Sequence, residues 1–143
     1  MQLFSTWQGL AYVLAMCAAL TAIFGKLGVA EMNSDLATFI RTIVILVVSA
    51  LIITSRGVWS ATGDIAWKGA LFLVLSGVAT GFSWLFYYRA LQIGQASHVA
   101  PLEKISVAFT VILAVIFLGE ALTLRTTLGA GLVVAGAVVL AWI

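Results

Sequence analysis

Five stretches of predominantly apolar residues, each close to 20 long, take up almost the whole chain. A helix needs about 20 such residues to cross the ~30 Å hydrocarbon core of a bilayer, so these runs predict five crossings joined by short connections. Composition says what surrounds them. Only 8% of the 143 residues are charged and 64% are hydrophobic, with a mean hydropathy of +1.21. A water-soluble domain carries about 25% charged residues to cover its outside, so lipid is the expected outer solvent. Closed β-barrels also satisfy backbone groups in lipid, but their strands alternate apolar and polar residues, whereas these runs are apolar all round. The fold class read here is all-α integral membrane: one bundle of five transmembrane helices, a single domain over residues 1–143, with no room for a soluble domain.

The predicted spans run from about Trp7 to Val29, Leu36 to Thr54, Lys68 to Arg89, Ala96 to Leu118 and Leu124 to Ile143. Asn33-Ser34-Asp35 offers N-cap chemistry for the second helix, because a short side-chain oxygen accepts from the free N–H groups of a first turn. The longest polar connection is Ser55 to Trp67, with Arg56, Gly57, Gly63 and Asp64. The third helix is expected to end in Trp84-Leu85-Phe86-Tyr87-Tyr88-Arg89, rings and a cation that suit a membrane–water interface. Gly77 and Gly81, Ala15 and Ala19, and Gly131 and Ala135 are spaced for close helix–helix approach, predicting a packed bundle. Met1 to Thr6 holds no Lys or Arg and no cleavage boundary follows, so the first apolar segment is read as retained. Cys17 is the only cysteine, which leaves no internal disulfide and no Cys-rich metal site. The net charge of +2 comes from cations spread singly along the chain, so nucleic-acid binding has no support.

With five spans the termini lie on opposite sides. Arg56, Lys68 and Arg125 fall on the N-terminal side, and Lys26 and Arg89 on the other. So small a bias hardly fixes orientation under the positive-inside rule; dual insertion, or a slight preference for the N-terminus inside, is the reading. Many transporters are built from two inverted repeats around a midplane site, and two oppositely inserted copies of an odd-span chain recreate that pair. An oppositely oriented relative would serve equally well.

Charges inside spans need a reason, since each costs about 2.5–3.5 kcal/mol at a helix centre on insertion scales. Arg41 lies some way into the second helix; it either snorkels to the headgroups or points inward, to pair with Glu103 or hold an anionic substrate group. Glu103 and Lys104 follow Ser97-His98-Val99-Ala100-Pro101-Leu102. Neighbours on a helix point about 100° apart, so at least one of the two is expected to meet another helix or a cavity. If the fourth helix starts at Pro101, a favoured first-turn position, Glu103 faces the helix dipole and Lys104 snorkels. If it is helical from Ala96, Pro101 leaves the Ser97 carbonyl without its N–H and Glu103 lies about 10 Å inside, able to exchange a proton or meet a cationic substrate. His98 is either an interfacial packing residue or a proton relay beside Glu103. Trp84, Tyr87 and Tyr88 form either an aromatic belt or a substrate cage, and Glu120 reads as an interfacial cap or loop anchor. No Ser/His/Asp set, paired aspartates, metal-binding histidines or P-loop supports an enzyme or a nucleotide-driven pump, and no cofactor or metal is expected.

The run Tyr88-Arg89-Ala90-Leu91-Gln92-Ile93-Gly94-Gln95-Ala96-Ser97 to Pro101, then Phe117-Leu118-Gly119-Glu120 and Leu128-Gly129-Ala130-Gly131-Leu132-Val133-Val134-Ala135-Gly136, resembles the EamA domain of the drug/metabolite transporter superfamily. Trp7, Phe24-Gly25-Lys26 and Arg41 fit it too, so the resemblance covers essentially the whole chain. Most EamA proteins look like two fused, inverted five-helix domains; this chain has one, closer in logic to the four-helix small multidrug transporters that act as antiparallel dimers. The tandem Glu103-Lys104 looks like a subgroup feature. The resemblance implies a half-transporter unit moving an amino acid, a nucleoside-like compound or a drug-like cation, often in exchange for protons or another solute. The expected partners are the lipid bilayer, a small-molecule substrate, and a second copy, antiparallel by preference, or an inverted relative. The path candidates are Glu103, Lys104, Arg41, His98, Pro101, Tyr88 and Trp84, in a bacterial or archaeal inner membrane. The other class considered is an accessory subunit of a hetero-oligomeric transporter or lipid-linked-sugar flippase.

Overall fold

A computed structural model of the chain describes residues 6–59 and 66–142. The apolar runs are all helical, because a helix satisfies every backbone group within itself and lipid offers no substitute. In order they are α1 (Trp7–Val29), α2 (Ser34–Ser55), α3 (Trp67–Ile93), α4 (Ala96–Glu103), α5 (Ser106–Leu113), a π-helical turn (Ala114–Leu118) and α6 (Leu124–Ala141). The pieces from Ala96 to Leu118 make one span, so among the described residues five helical stretches are long and apolar enough to cross a membrane. The protein is a multi-pass, all-α membrane protein. Gly63, Asp64, Met1–Ser5 and Ile143 of the sequence reading lie outside the described residues.

Helix ends follow local chemistry. The Asn33 side chain accepts from the Asp35 N–H at 2.8 Å, as the Asn-Ser-Asp run predicts. Thr123 caps α6 in the same way, its hydroxyl accepting from the Thr126 N–H at 3.2 Å. The π-helical turn ends at Gly119, whose φ of 67° is a left-handed conformation that glycine adopts freely. There the backbone N–H of Glu120 bonds the Ala114 carbonyl at 3.3 Å. α3 does not stop at Arg89. It runs one more turn to Ile93, giving about 40 Å of helix at 1.5 Å per residue, more than the hydrocarbon requires.

The chain divides into two compact units, Met1–Lys26 with Ile93–Ile143, and Leu27–Gln92. In the first, α4 and α5 pack on α6, Ala137 is buried, and the Lys26 ammonium donates to the Gly94 carbonyl at 2.9 Å. In the second, Val29, Ser34, Ala37, Thr38, Tyr88 and Leu91 are buried. The Gln92 amide there donates to the carbonyls of Met32, at 3.1 Å, and Val29, at 3.5 Å. Hydroxyls inside the spans bond back one turn, Thr38 to the Ser34 carbonyl at 2.9 Å and Thr42 to that of Thr38 at 2.8 Å, which removes the cost of an unsatisfied polar group in an apolar setting.

A Cβ added at Gly77, Gly81 or Gly131 would meet nothing within 4 Å, and Ala15, Ala19 and Ala135 are exposed. Small-residue spacing permits close approach but does not direct it, and in the most apolar windows of α3 and of the Ala96–Leu118 span no residue is buried.

Candidate functional site

Pro101 lies inside α4, with Gln95 as the N-cap, so the fourth span is helical from Ala96 and does not begin at the proline. Lacking an N–H, Pro101 withdraws the partner of the Ser97 carbonyl. The helix then tightens: Lys104 N–H bonds the Pro101 carbonyl (2.9 Å), Ile105 that of Leu102 (3.1 Å), Val107 that of Lys104 (3.0 Å) and Ala108 that of Ile105 (3.0 Å). These are three-residue rather than four-residue steps, the geometry of a 3₁₀ turn, and they separate α4 from α5. Glu103 sits seven residues into the span, about 10 Å along its axis.

At this break the Lys104 ammonium lies 3.3 Å from a Glu103 carboxylate oxygen, with side chains 50% and 42% exposed. The divergence expected of helix neighbours is therefore overcome. Two long side chains at a tightened turn reach each other, and each ion is compensated by its neighbour rather than by another helix. Leu102, Val138, Ala141 and Trp142 line an open depression of about 340 Å³. His98 is half-buried in the first turn of α4, and no hydrogen bond or ion pair links its ring to Glu103. Five residues apart on a helix, the two side chains point about 140° from each other.

The second cluster belongs to α2 and α3. Arg41 is half-buried, seven residues after Ser34 and so about 10 Å into α2. Its guanidinium carbon stands 3.3 Å from the centroid of Trp84 and 5.9 Å from that of Tyr88. Trp84 meets Tyr87 edge-on at 5.2 Å and Tyr88 at a tilt at 5.8 Å, and Tyr87 meets Tyr88 at 6.2 Å. Trp84 and Tyr88 thus engage a cation and each other, and Tyr88 is only 5% exposed. A cation–π contact contributes about 0.5–1 kcal/mol when exposed and about 2 kcal/mol when desolvated, which offsets part of the 2.5–3.5 kcal/mol or so that an arginine costs in a span. The aromatic run, expected at a helix end, lies along α3 ahead of its last turn.

Lys26, Gln92 and Thr123 are functional in the structural sense, and the sequence reading passed over them. Lys26 counted as a charge and as part of the Phe24-Gly25-Lys26 resemblance, and Gln92 only as part of a run, yet both donate to carbonyls at or just beyond helix C-termini, groups that no intrahelical N–H can reach. A donor in the last turn of a helix was the available signal. Among the described residues there is no group of three or more His, Cys, Asp or Glu, and Cys17 is exposed.

The sequence model of the EamA-like transporter family matches residues 5–142. The chain is 52% identical over 136 residues to an uncharacterized transporter, in the region 3′ of cobO, from a Sinorhizobium species; the match takes in 95% of this chain and 96% of that one. It is 39% identical over 69 residues to an uncharacterized protein of Methanocaldococcus jannaschii, about half of each chain. No solved structure matches it. A match across nearly every residue, on five apolar helices, places this chain in the EamA-like transporter family.

Proposed function

We propose that this protein is a small-molecule secondary transporter that works as a dimer of inverted five-helix units by alternating access, coupled to protons or to a counter-transported solute. One observation carries the reading: a member of a transporter family presents five spans, an odd number. Two copies inserted oppositely then form the inverted pair around which alternating-access transporters are built. The weak bias of Arg56, Lys68 and Arg125 against Lys26 and Arg89 suits insertion both ways. The extensive apolar surface left exposed on α3 suits a partner as well as lipid. Each unit supplies path candidates of its own: Glu103, Lys104, His98 and Pro101 at the helix break, and Arg41, Trp84 and Tyr88 at the stacked cation. The break serves as the coupling element. The Glu103 carboxylate gives up a bound proton, or its contact with the Lys104 ammonium, and takes a cationic solute in its place, while Pro101 leaves the backbone free to bend. The five spans act as one domain, in the inner membrane of the cell.

Sidedness tests the assembly. Cys17 is replaced by Ser, one cysteine is added after Ile143, and intact cells are labelled with an impermeant thiol reagent before and after permeabilisation. Protection of about half the chains is the outcome expected of dual insertion. Labelling from one side alone would instead require a parallel assembly or an inverted relative as partner. Flux tests the coupling element: Glu103→Gln is expected to lower uptake into proteoliposomes by about tenfold, the scale of one lost charge-assisted contact, while insertion and dimer yield hold. Full uptake would remove Glu103 from the mechanism.

A further inference from the structure

We infer that Arg41, Trp84 and Tyr88 form an oxyanion subsite, one that takes a carboxylate or phosphate through the edge of the Arg41 guanidinium. The inference rests on the transporter reading for its physiological ligand, an anionic solute, but its geometry stands apart from that reading. With the guanidinium carbon 3.3 Å from the Trp84 centroid, only a face-on stack fits, because an edge-on group would drive its N–H groups into the ring. Stacking uses the face of the cation. The five in-plane donors, set in a rigid fork that matches a carboxylate or phosphate, are left for something else.

Among the described residues, nothing in the protein takes them up. Arg41 has no hydrogen-bond or ion-pair partner there, and neither does the Tyr88 hydroxyl. Among the described residues no fully buried polar side-chain atom lacks a partner, so the unpartnered Arg41 donors keep some access to the surroundings. The only acid on α2 or in the described length of α3 is Asp35, which is at the first turn of α2 and accepts from the Ser34 hydroxyl at 3.3 Å. A ring quadrupole attracts a cation without neutralising it, so the charge held about 10 Å inside α2 still calls for a counter-anion.

There is room for one to arrive. Gly77, Gly81, Trp84 and Tyr88 recur at steps of four, three and four, one face of α3. At both glycines an added Cβ would meet nothing within 4 Å. Two positions without a Cβ therefore lead along α3 from the middle of the span to the stacked cation, and the aromatic rings at their end fix the fork in one orientation.

The same chemistry is carried by a solute or by a lipid headgroup, and one binding experiment separates them. Purified full-length protein in a phosphate-free maltoside detergent is followed by thermal unfolding against added succinate, inorganic phosphate, neutral succinamide, or phosphatidylglycerol. Saturable stabilisation by succinate or phosphate and none by succinamide is expected. Arg41→Gln should weaken half-saturation by about tenfold or more, and Arg41→Lys, which keeps the charge and loses the fork, by several-fold. Stabilisation by phosphatidylglycerol alone would place a headgroup on the site and overturn the assignment to an anionic solute. Equal protection by succinate and succinamide, or succinate binding unchanged in Arg41→Gln, would overturn the subsite itself. Because the readout is binding and not flux, a negative result here is distinct from failure of the transporter reading. The wild-type contrast between succinate and its amide decides the matter even if a variant does not fold.

Discussion

Arg41 and the Glu103–Lys104 pair are two answers to one problem, an ion about 10 Å inside an apolar span, and they differ in what they leave over. On α2, a continuous helix, the charge is held against aromatic faces and stays a charge, its hydrogen-bonding edge unspent. Between α4 and α5 the helix is broken, and the two ions cancel each other across 3.3 Å while remaining nearly half exposed. A stacked cation is rigid and uncompensated, which suits recognition of an anion. A paired, half-solvated couple on a bent backbone is compensated and loosely held, which suits exchange. The first arrangement is stabilised by packing, the second by a weak pair, so stability and activity should respond in opposite proportion at the two places.

The largest stability effect is expected at the stack. Trp84→Ala removes the face under Arg41 and the ring against Tyr87 and Tyr88, and should lower unfolding stability in detergent by about 2–3 kcal/mol. Trp84→Phe, which keeps an aromatic face, should lose less than half of that. Equal losses in the two variants would mean that Trp84 acts by bulk and not by its ring, and the contrast with the broken helix would collapse. At the break the effect is smaller. Side chains half exposed to solvent interact weakly, so a double-mutant cycle of Glu103→Gln and Lys104→Gln should give a coupling energy of about 1 kcal/mol or less. A coupling of several kcal/mol would show the pair to be buried in the assembled protein, against the exposed pair of the single chain.

How the sequence announced these two regions also differs. Five crossings, their limits to within a few residues and the Asn33 cap all follow from local signals, apolar run length and short polar side chains, and they reappear in the structure. The extent of α3 past Arg89 did not follow, because an aromatic run marks an interface only when nothing beyond it holds the helix, and here Gln92 and Leu91 do. The break around Pro101 was one of two open readings. It turned on whether Gln95 or a later residue caps the helix, which backbone geometry decides and composition does not. The stack of Arg41 on Trp84 joins residues 43 positions apart, and no periodicity within one helix reveals which aromatic a cation on another will meet. Glu103 and Lys104 were singled out by cost alone; that they would pair with each other depended on a turn whose tightening is visible only in its hydrogen bonds.

The smallest effect bears on what covers the face that leads to Trp84. Within one chain, Gly77 and Gly81 have empty space where a Cβ would stand, and glycine inside a helix is less stable than alanine by roughly 0.5–1 kcal/mol. Gly77→Ala and Gly81→Ala should therefore raise unfolding stability slightly, by about 0.5 kcal/mol, provided lipid or a mobile solute is all that meets them. The sign matters more than the size. A loss of stability, accompanied by a lower dimer yield, would mean that another chain packs against these glycines in the assembled protein. The open approach to Arg41 would then be a surface between copies, and the stacked cation would have its counter-charge supplied from across it. A gain in stability with the dimer intact keeps that face free, and keeps the two regions as different as they are in the single chain.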